Sequence, residues 1–320
     1  MLQQELAVAK TAVRQAAALA QRVALDTVSS IAKNDRSPVT IADFGAQAVI
    51  IAAINKAFPT DPVVGEEDSS RLRQDDSLAS KVLDLAHKYS PEPILASKEG
   101  LFTTIDNGLF EGTNKGRQWA LDPIDGTKGY LRKEQYAVCL ALIEDAEVKL
   151  GVIGCPNLGE HGGLFYAVKG EGAFWEPLEG SSGPQKIAFR SIQSPSEAQF
   201  CESVESGHSA LDTQLKLAHK LGITLPPVQM DSQAKYCTLA KGNADIYLRL
   251  PVSMSYEEKI WDHAAGNILI TEAGGIVSDM YGKPLNFGVG RTLKTNKGVV
   301  AAAKNIHPLV IQELETMGKL

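Results

Sequence analysis

Between residues 118 and 189, short β-prone apolar segments follow one another with mostly short turn-forming links, and no other feature limits the fold as much. The segments cover residues 118–121, 136–143, 148–153, 164–168, 172–175 and 186–189. Short links join neighbouring strands of opposite direction, because a parallel crossover needs about a dozen residues or more. The series therefore predicts a largely antiparallel sheet, with SSGPQ as a hairpin loop inside it. Upstream, Leu2, Leu6, Ala9, Val13, Ala16, Ala20 and Val23 recur at the spacing of an amphipathic helix. A second helix is expected from near Asp43 to Phe58, closed by Pro59, and KNDRSPVTIAD reads as the loop between the two. Helices packed on an antiparallel sheet make an α+β unit.

Beyond RSIQSPSE the rhythm changes. Strands are expected at residues 200–204, 228–230, 244–250, 275–277 and 298–302, alternating with helices at 209–221, 235–241, 264–273 and 308–317. Strand and helix taking turns marks an α/β unit. The change near residue 192 separates an α+β domain, residues 1–192, from an α/β domain, residues 193–320. The length of 320 residues exceeds what one hydrophobic core ordinarily holds.

Charge limits the partners. With 32 Lys and Arg against 38 Asp and Glu the formal net charge is -6, whereas a protein that grips a nucleic-acid backbone needs surplus basic residues to release counterions. A small anionic substrate stays compatible if positive charge is local or is brought by metal ions. Cys139, Cys155, Cys201 and Cys237 form no CxxC pair and read as reduced core residues. No apolar run approaches the ~18 residues of a membrane span. The opening segment lacks the basic and continuously apolar regions of a secretory signal, so a cytoplasmic protein is expected, with organelle targeting left open. The phosphate-loop pattern GxxxxGK[ST] is absent, and GEGAFW at 170–175 lacks the third glycine of a dinucleotide fingerprint.

In WALDPIDGTKGY, residues 119–130, Pro123 fixes the backbone and Gly126 frees the following turn, so Asp122 and Asp125 can leave a strand end and converge. Carboxylates held so close repel unless a cation lies between them. Oxygen ligands, with the Ile124 carbonyl available, suit Mg2+ better than zinc. The DxxDG spacing is also that of a common turn, so the run alone leaves turn and metal site both open. Glu66 and Glu67 end a short strand at 62–65 and point to opposite sides if extended, so one of them can face a site. Asp262 in IWDHAAG and Asp43 in IAD each fit a helix N-cap as well as a functional carboxylate. His263 has no HxxxH or HxxE partner and reads as a core or surface residue more than as a ligand.

Taken in order, GEED (65–68), WALDPIDGTKGY (119–130) and WDHAAGNILITEAGG (261–275) resemble the lithium-sensitive, magnesium-dependent phosphatase superfamily that includes inositol monophosphatases and fructose bisphosphatases. The resemblance implies a layered αβαβα sandwich. It also implies two or three Mg2+ ions held by Glu66, Asp122, the Ile124 carbonyl, Asp125 and Asp262. KNDRSPVTIADFGAQ, VVGEED, DPIDGTKGY, VESGHS, MDSQAKY, IYLRLP and YEEKIWDHAAGNILITEAGG together span nearly the whole chain. They are similar to the 3'(2'),5'-bisphosphate nucleotidase branch, with Phe44 where some members carry Tyr.

That branch resemblance implies hydrolysis of the 3'-phosphate of adenosine 3',5'-bisphosphate (PAP) to AMP and phosphate, and activity on the sulfated relative PAPS. Metal ions would neutralise phosphoryl charge, acidify the attacking water and stabilise the departing 3'-oxygen, without a phosphoenzyme. By the same resemblance Asp43 and Thr127 deprotonate and orient the water. His208, Ser232, Lys235 and Arg249 bind the nucleotide, joined at the substrate by Thr127 and Asp262. Lys235 and Arg249 would take the 5'-phosphate, a task that suits the planar guanidinium fork. Two alternatives remain: an inositol phosphatase with the same metal site, and a non-catalytic nucleotide sensor that has kept the fold. The sequence fixes no oligomeric state and is compatible with a monomer.

Overall fold

The computed structural model describes residues 2–25, 30–32, 38–180, 182–204 and 211–318. Helix α1 (Gln3–Leu25) buries a stripe dominated by small residues, Ala9, Ala12, Ala16, Ala17 and Ala20, with Val13, Leu19 and Val23. Within the loop expected at residues 33–43, β2 (Pro38–Thr40) is a strand and pairs antiparallel with β1 (Ser30–Ala32), Ser30 opposite Thr40. Helix α2 (Ile41–Ala57) is buried along most of its length and begins two residues before Asp43. Asp43 is therefore not an N-cap but the third helical residue.

After β3 (Val63–Gly65) comes a helical region to which the sequence pattern assigns no element: α3 (Ser70–Gln74), α4 (Asp76–Tyr89), a 3-10 turn (Pro93–Ala96) and α5 (Lys98–Asp106). Its start signals are local. Asp75 caps α4 by accepting the Leu78 N–H at 3.0 Å, and Ser97 caps α5 by accepting that of Gly100 at 3.2 Å. Then follow β4 (Arg117–Asp125), the short α6 (Thr127–Leu131), β5 (Ala137–Glu144), β6 (Glu147–Cys155), β7 (Gly163–Val168), β8 (Gly172–Pro177) and β9 (Gln185–Ile187). Strands β3 to β9 lie side by side in chain order, antiparallel except for the parallel pair β3 and β4.

The later half supplies β10 (Phe200–Glu202), α7 (Leu211–Leu221), β11 (Val228–Gln229), α8 (Ala234–Ala240), β12 (Ile246–Arg249), α9 (Ala264–Glu272), β13 (Gly275–Ser278), β14 (Val299–Ala303) and α10 (His307–Thr316). Its sheet runs β11-β10-β12-β14-β13; the first three strands are parallel, and β14 is antiparallel to both its neighbours.

Side-chain alternation assembles the layers. On β5, Val138, Leu140 and Leu142 enter the core with α1 and α2, while Cys139, Ala141 and Ile143 enter the core with α8 and α9. Successive residues of a strand face opposite ways, so a strand apolar on both faces must be covered on both. On the second sheet, Tyr247 and Ala301 share the α8 and α9 core, whereas Leu248, Val300 and Ala302 pack with Leu217 of α7 and Val310 and Leu314 of α10. The result is an α+β sandwich layered helix, sheet, helix, sheet, helix. The central helix pair touches closely: a Cβ at Gly266 of α9 would lie 2.1 Å from the Tyr236 ring of α8. All four cysteines are buried thiols, with Cys155 Sγ 3.7 Å from Cys237 Sγ between the first sheet and α8. No helix among the described residues is long and apolar enough to cross a membrane.

Candidate active site

The site forms where β3 and β4 end beside each other. Parallel pairing sets Gly65 opposite Leu121, which brings Glu66 next to Asp122 at the same edge. Strand β4 does not stop at Asp122. It runs on to Asp125 through a break in register, with Asp122 opposite Cys139 and Asp125 opposite Ala137. The break falls at Pro123 and Ile124, where a residue without an N–H is tolerated, and it re-aims the two aspartates. Gly126 follows at φ 84°, a left-handed turn that starts α6, and the Thr127 hydroxyl donates to the Ile124 carbonyl at 3.2 Å.

Helix α2 contributes a second wall. Gln47 donates from Nε2 to the Glu67 carbonyl at 2.6 Å and accepts the Glu67 N–H at 3.0 Å, so it fixes the backbone just past Glu66. Asp43 lies four residues earlier and so on the same helical face, fully buried. The third wall comes from the later half. Asp262 precedes α9 rather than capping it, since His263 holds the N-cap position. The loop ahead of α8 presents its Gln233 N–H to Asp125 Oδ2 at 2.6 Å, while the Gln233 side chain donates to the Trp261 carbonyl at 2.8 Å and accepts from Gly266 at 2.9 Å.

The acids act on one another. Burial, then the charges of Glu66, Asp125, Asp262 and Asp43, push the Asp122 carboxyl well above its usual range. Burial raises Asp125 to about 6, moderated by Lys235, the Gln233 bond and Arg249. Asp262 is raised by burial to about 7, moderated by Arg249. Asp122 Oδ1 is buried without a hydrogen-bond partner among the described residues. An all-oxygen cluster that raises its own proton affinity, with an orphaned carboxylate oxygen, suits a hard cation.

A neighbouring group, Glu258, Asp262 and His263, is also close enough to bracket an ion, but Glu258 and His263 are engaged with other side chains. Glu258 Oε2 receives Arg249 Nε at 2.7 Å and lies 3.2 Å from His263 Nε2, and His263 Nδ1 lies 2.7 Å from the Tyr236 hydroxyl. His263 is thus a core residue.

Of the residues expected to bind substrate, His208 lies outside the described residues. Ser232 is buried at φ 66°, an uncommon conformation for a side-chain-bearing residue, and its Oγ accepts the Ala234 N–H at 3.2 Å. The turn at Ser232 packs on the metal turn: a Cβ at Gly126 would meet Ser232 Cβ at 3.0 Å. Lys235 is buried, its Nζ 3.4 Å from the Met230 carbonyl, and burial holds the ammonium below its usual value. Arg249 is held by Glu258 and sits 3.7 Å from Asp262 Oδ2. Burial opposes its charge, but its neighbours, led by Glu258, outweigh that and raise it. Sequence reasoning missed Gln47, Gln233 and Glu258. All three stand inside the matched motifs, and only their contacts mark them out.

The family description "Inositol monophosphatase family" matches residues 1–319. A 3'(2'),5'-bisphosphate nucleotidase of Schizosaccharomyces pombe is 47% identical, covering 97% of this chain and 94% of its own length. A 3'(2'),5'-bisphosphate nucleotidase 1 of Candida albicans is 49% identical over 99% and 96%. Among solved structures, an IMPase of Thermotoga maritima shares the fold with TM-score 0.69 and 22% identity, covering 100% of this chain and 99% of its own. The chain belongs to the inositol monophosphatase family. It is an enzyme of the phosphoric monoester hydrolase class.

Proposed function

We propose that the chain is a Mg2+-dependent 3'(2'),5'-bisphosphate nucleotidase that removes the 3'-phosphate of PAP to give AMP, and that it also acts on PAPS. The observation that carries the substrate is the identity of 47–49%, over nearly the full length, to relatives bearing that activity in their names. Glu66, Asp122, the Ile124 carbonyl, Asp125 and Asp262 would hold two or three Mg2+ ions, which supply charge neutralisation at the phosphoryl oxygens and acidify water. Asp43 accepts the proton of the attacking water, and the Thr127 hydroxyl orients that water from the turn directly after Asp125. His208 and Ser232 hold the nucleoside. Lys235 and Arg249 anchor the 5'-phosphate; Lys235 is buried and Arg249 mostly so, and a dianion there would compensate the cost of burying the Lys235 ammonium.

On this reading the domain boundary near residue 192 divides labour: residues 1–192 carry most metal ligands, and residues 193–320 carry the nucleotide site and Asp262. A cytoplasmic location and a monomeric state fit the same reading. Phosphate release from PAP, PAPS, inositol 1,4-bisphosphate and inositol 1-phosphate, each with and without Mg2+, is the test. The expected result is Mg2+-dependent release with PAP as the preferred substrate. Preference for an inositol phosphate, or release from PAP without any divalent cation, would overturn the corresponding part.

A further inference from the structure

Two of the acids around the site belong to segments far apart in sequence, Glu66 after β3 and Asp262 ahead of α9, and one side chain touches both segments. Arg291 donates from Nη1 to the carbonyls of Gly108 at 3.2 Å and Phe110 at 3.0 Å, and from Nη2 to that of Gly65 at 2.5 Å. These carbonyls lie together at the free edge of β3, where Val64 bridges Leu109 and Gly65 N–H bonds the Gly108 carbonyl at 2.7 Å. The residue before Glu66 is thus gripped directly.

The same guanidinium lies over the Trp261 ring, 4.9 Å from its centroid, and Trp261 immediately precedes Asp262. The Arg291 backbone joins in. Its carbonyl accepts the Ile260 N–H at 3.2 Å, Lys259 and Thr292 form a β-bridge, and Leu293 N–H bonds the Glu258 carbonyl at 2.8 Å. Trp261 is fixed from the other side as well, through Gln233 and its carbonyl. The whole arrangement is a crosspiece between two ligand-bearing segments.

We infer that Arg291 is a positioning residue of the cation site: its planar fork sets the separation of Glu66 and Asp262 and thereby the affinity for the divalent ion. This rests on the reading of the acid cluster as a cation site. Geometry and charge pull in opposite directions here. A positive charge beside Glu66 repels a cation, so an Arg291 acting by charge alone would weaken binding, and its removal would strengthen it. An Arg291 acting by position strengthens binding. Lysine keeps the charge but cannot reach three carbonyls with a rigid fork.

Mn2+ binding to the purified full-length chain, followed by the electron paramagnetic resonance signal of free Mn2+, separates these cases. Arg291→Lys is expected to weaken Mn2+ binding about tenfold, in the range found when groups supporting metal ligands are changed. The Mn2+ concentration needed for half-maximal phosphatase activity should shift equally, with kcat at saturating Mn2+ within about twofold of the parent. Arg291→Gln should weaken binding at least as much. Arg117→Gln serves as the control: Arg117 holds Glu5, Asp61 and Glu144 at the opposite end of β4, so this change should lower the Tm and leave Mn2+ affinity unchanged. Unchanged affinity in Arg291→Lys, tighter binding in Arg291→Gln, or equal weakening in Arg117→Gln would each overturn the inference. If Arg291→Gln does not fold, Arg291→Lys decides alone. A parent protein that binds no Mn2+ would overturn the cation-site reading and this inference with it, an outcome distinct from parent and variant binding alike.

Discussion

Asp122 and Glu258 are carboxylates of one site with nearly the same exposure, 2% and 5%, and their surroundings treat them in opposite ways. Glu258 is pushed up by burial, but the bonds and charges of His263 and Arg249 outweigh that and hold it below its usual range. Asp122 is treated otherwise: burial and the acids Glu66, Asp125, Asp262 and Asp43 all raise it. Burial alone therefore does not say whether an acid is structural or functional. The donors around it do. Glu258 completes the fold as it stands, whereas on the proposed reading Asp122 is the acid that a cation would pair with.

Replacing Asp122 by Asn offers the strongest way to break the comparison. If Asp122 holds the proposed cation, activity should fall about a thousand-fold or more, since the change removes charge aimed at the ion that would neutralise the phosphoryl group. In cation-free buffer at pH 8 the same variant should unfold at a higher temperature than the parent, because one of several mutually repelling buried charges is gone. The Tm gain on adding Mg2+ should also shrink. A variant that is destabilised without cation and keeps its activity would show that Asp122 is structural.

Glu258→Gln should act with the opposite sign. It leaves the mostly buried Arg249 guanidinium with only part of its counter-charge, at a cost of about 3 kcal/mol, readable from urea unfolding as a lower midpoint at constant slope. Equal stability of this variant and the parent would erase the distinction between the two carboxylates.

The legibility of these features in the sequence follows the same physics. Short apolar segments joined by tight turns announce the strands, because both signals are local, and the ordered motifs gather Glu66, Asp122, Asp125 and Asp262 as candidates. The helices between residues 70 and 106 carry as start signals only Asp75 and Ser97, residue types that turns favour equally. Asp43 was weighed as an N-cap because its distance from the true start of α2 is two residues, less than sequence patterns resolve. The register break at Pro123 depends on pairing with β5, and the crosspiece made by Gln233 and Arg291 depends on backbone carbonyls from distant segments. Carbonyls carry no sequence signature, so contacts to them become visible only in three dimensions.

Proton binding sharpens the comparison by a smaller amount. Asp125 and Asp262 titrate near 6 and 7 in the folded chain, while unfolded aspartates titrate near ~4. The folded chain therefore binds more protons between roughly pH 4 and 7, and without cation it gains stability as pH falls through that window and loses it as pH rises toward 7. A divalent ion must displace those protons, so Mg2+ affinity measured by calorimetry should weaken up to about tenfold per pH unit for each proton displaced below pH 7. Glu258, already below its usual range, adds nothing to this slope. A Mg2+ affinity flat from pH 8 to 5.5 would mean that the acids are not competing for the ion.

The smallest expected effect belongs to a pair whose bond length equals that of a strong one. Lys56 Nζ lies 2.8 Å from Glu92 Oε1, much as Arg249 Nε lies 2.7 Å from Glu258, but the Lys56 side chain is 68% exposed and the Arg249 side chain 20%. Water screens the first pair and solvates either partner when the other is lost, whereas the second pair is far less open to water. Lys56→Ala should therefore cost less than about 0.5 kcal/mol in urea unfolding, several-fold below Glu258→Gln, and half-molar NaCl should remove most of that difference. If the two variants cost the same, bond length and not access to water would govern these carboxylates, and the argument that separates Asp122 from Glu258 by their surroundings would fail with it.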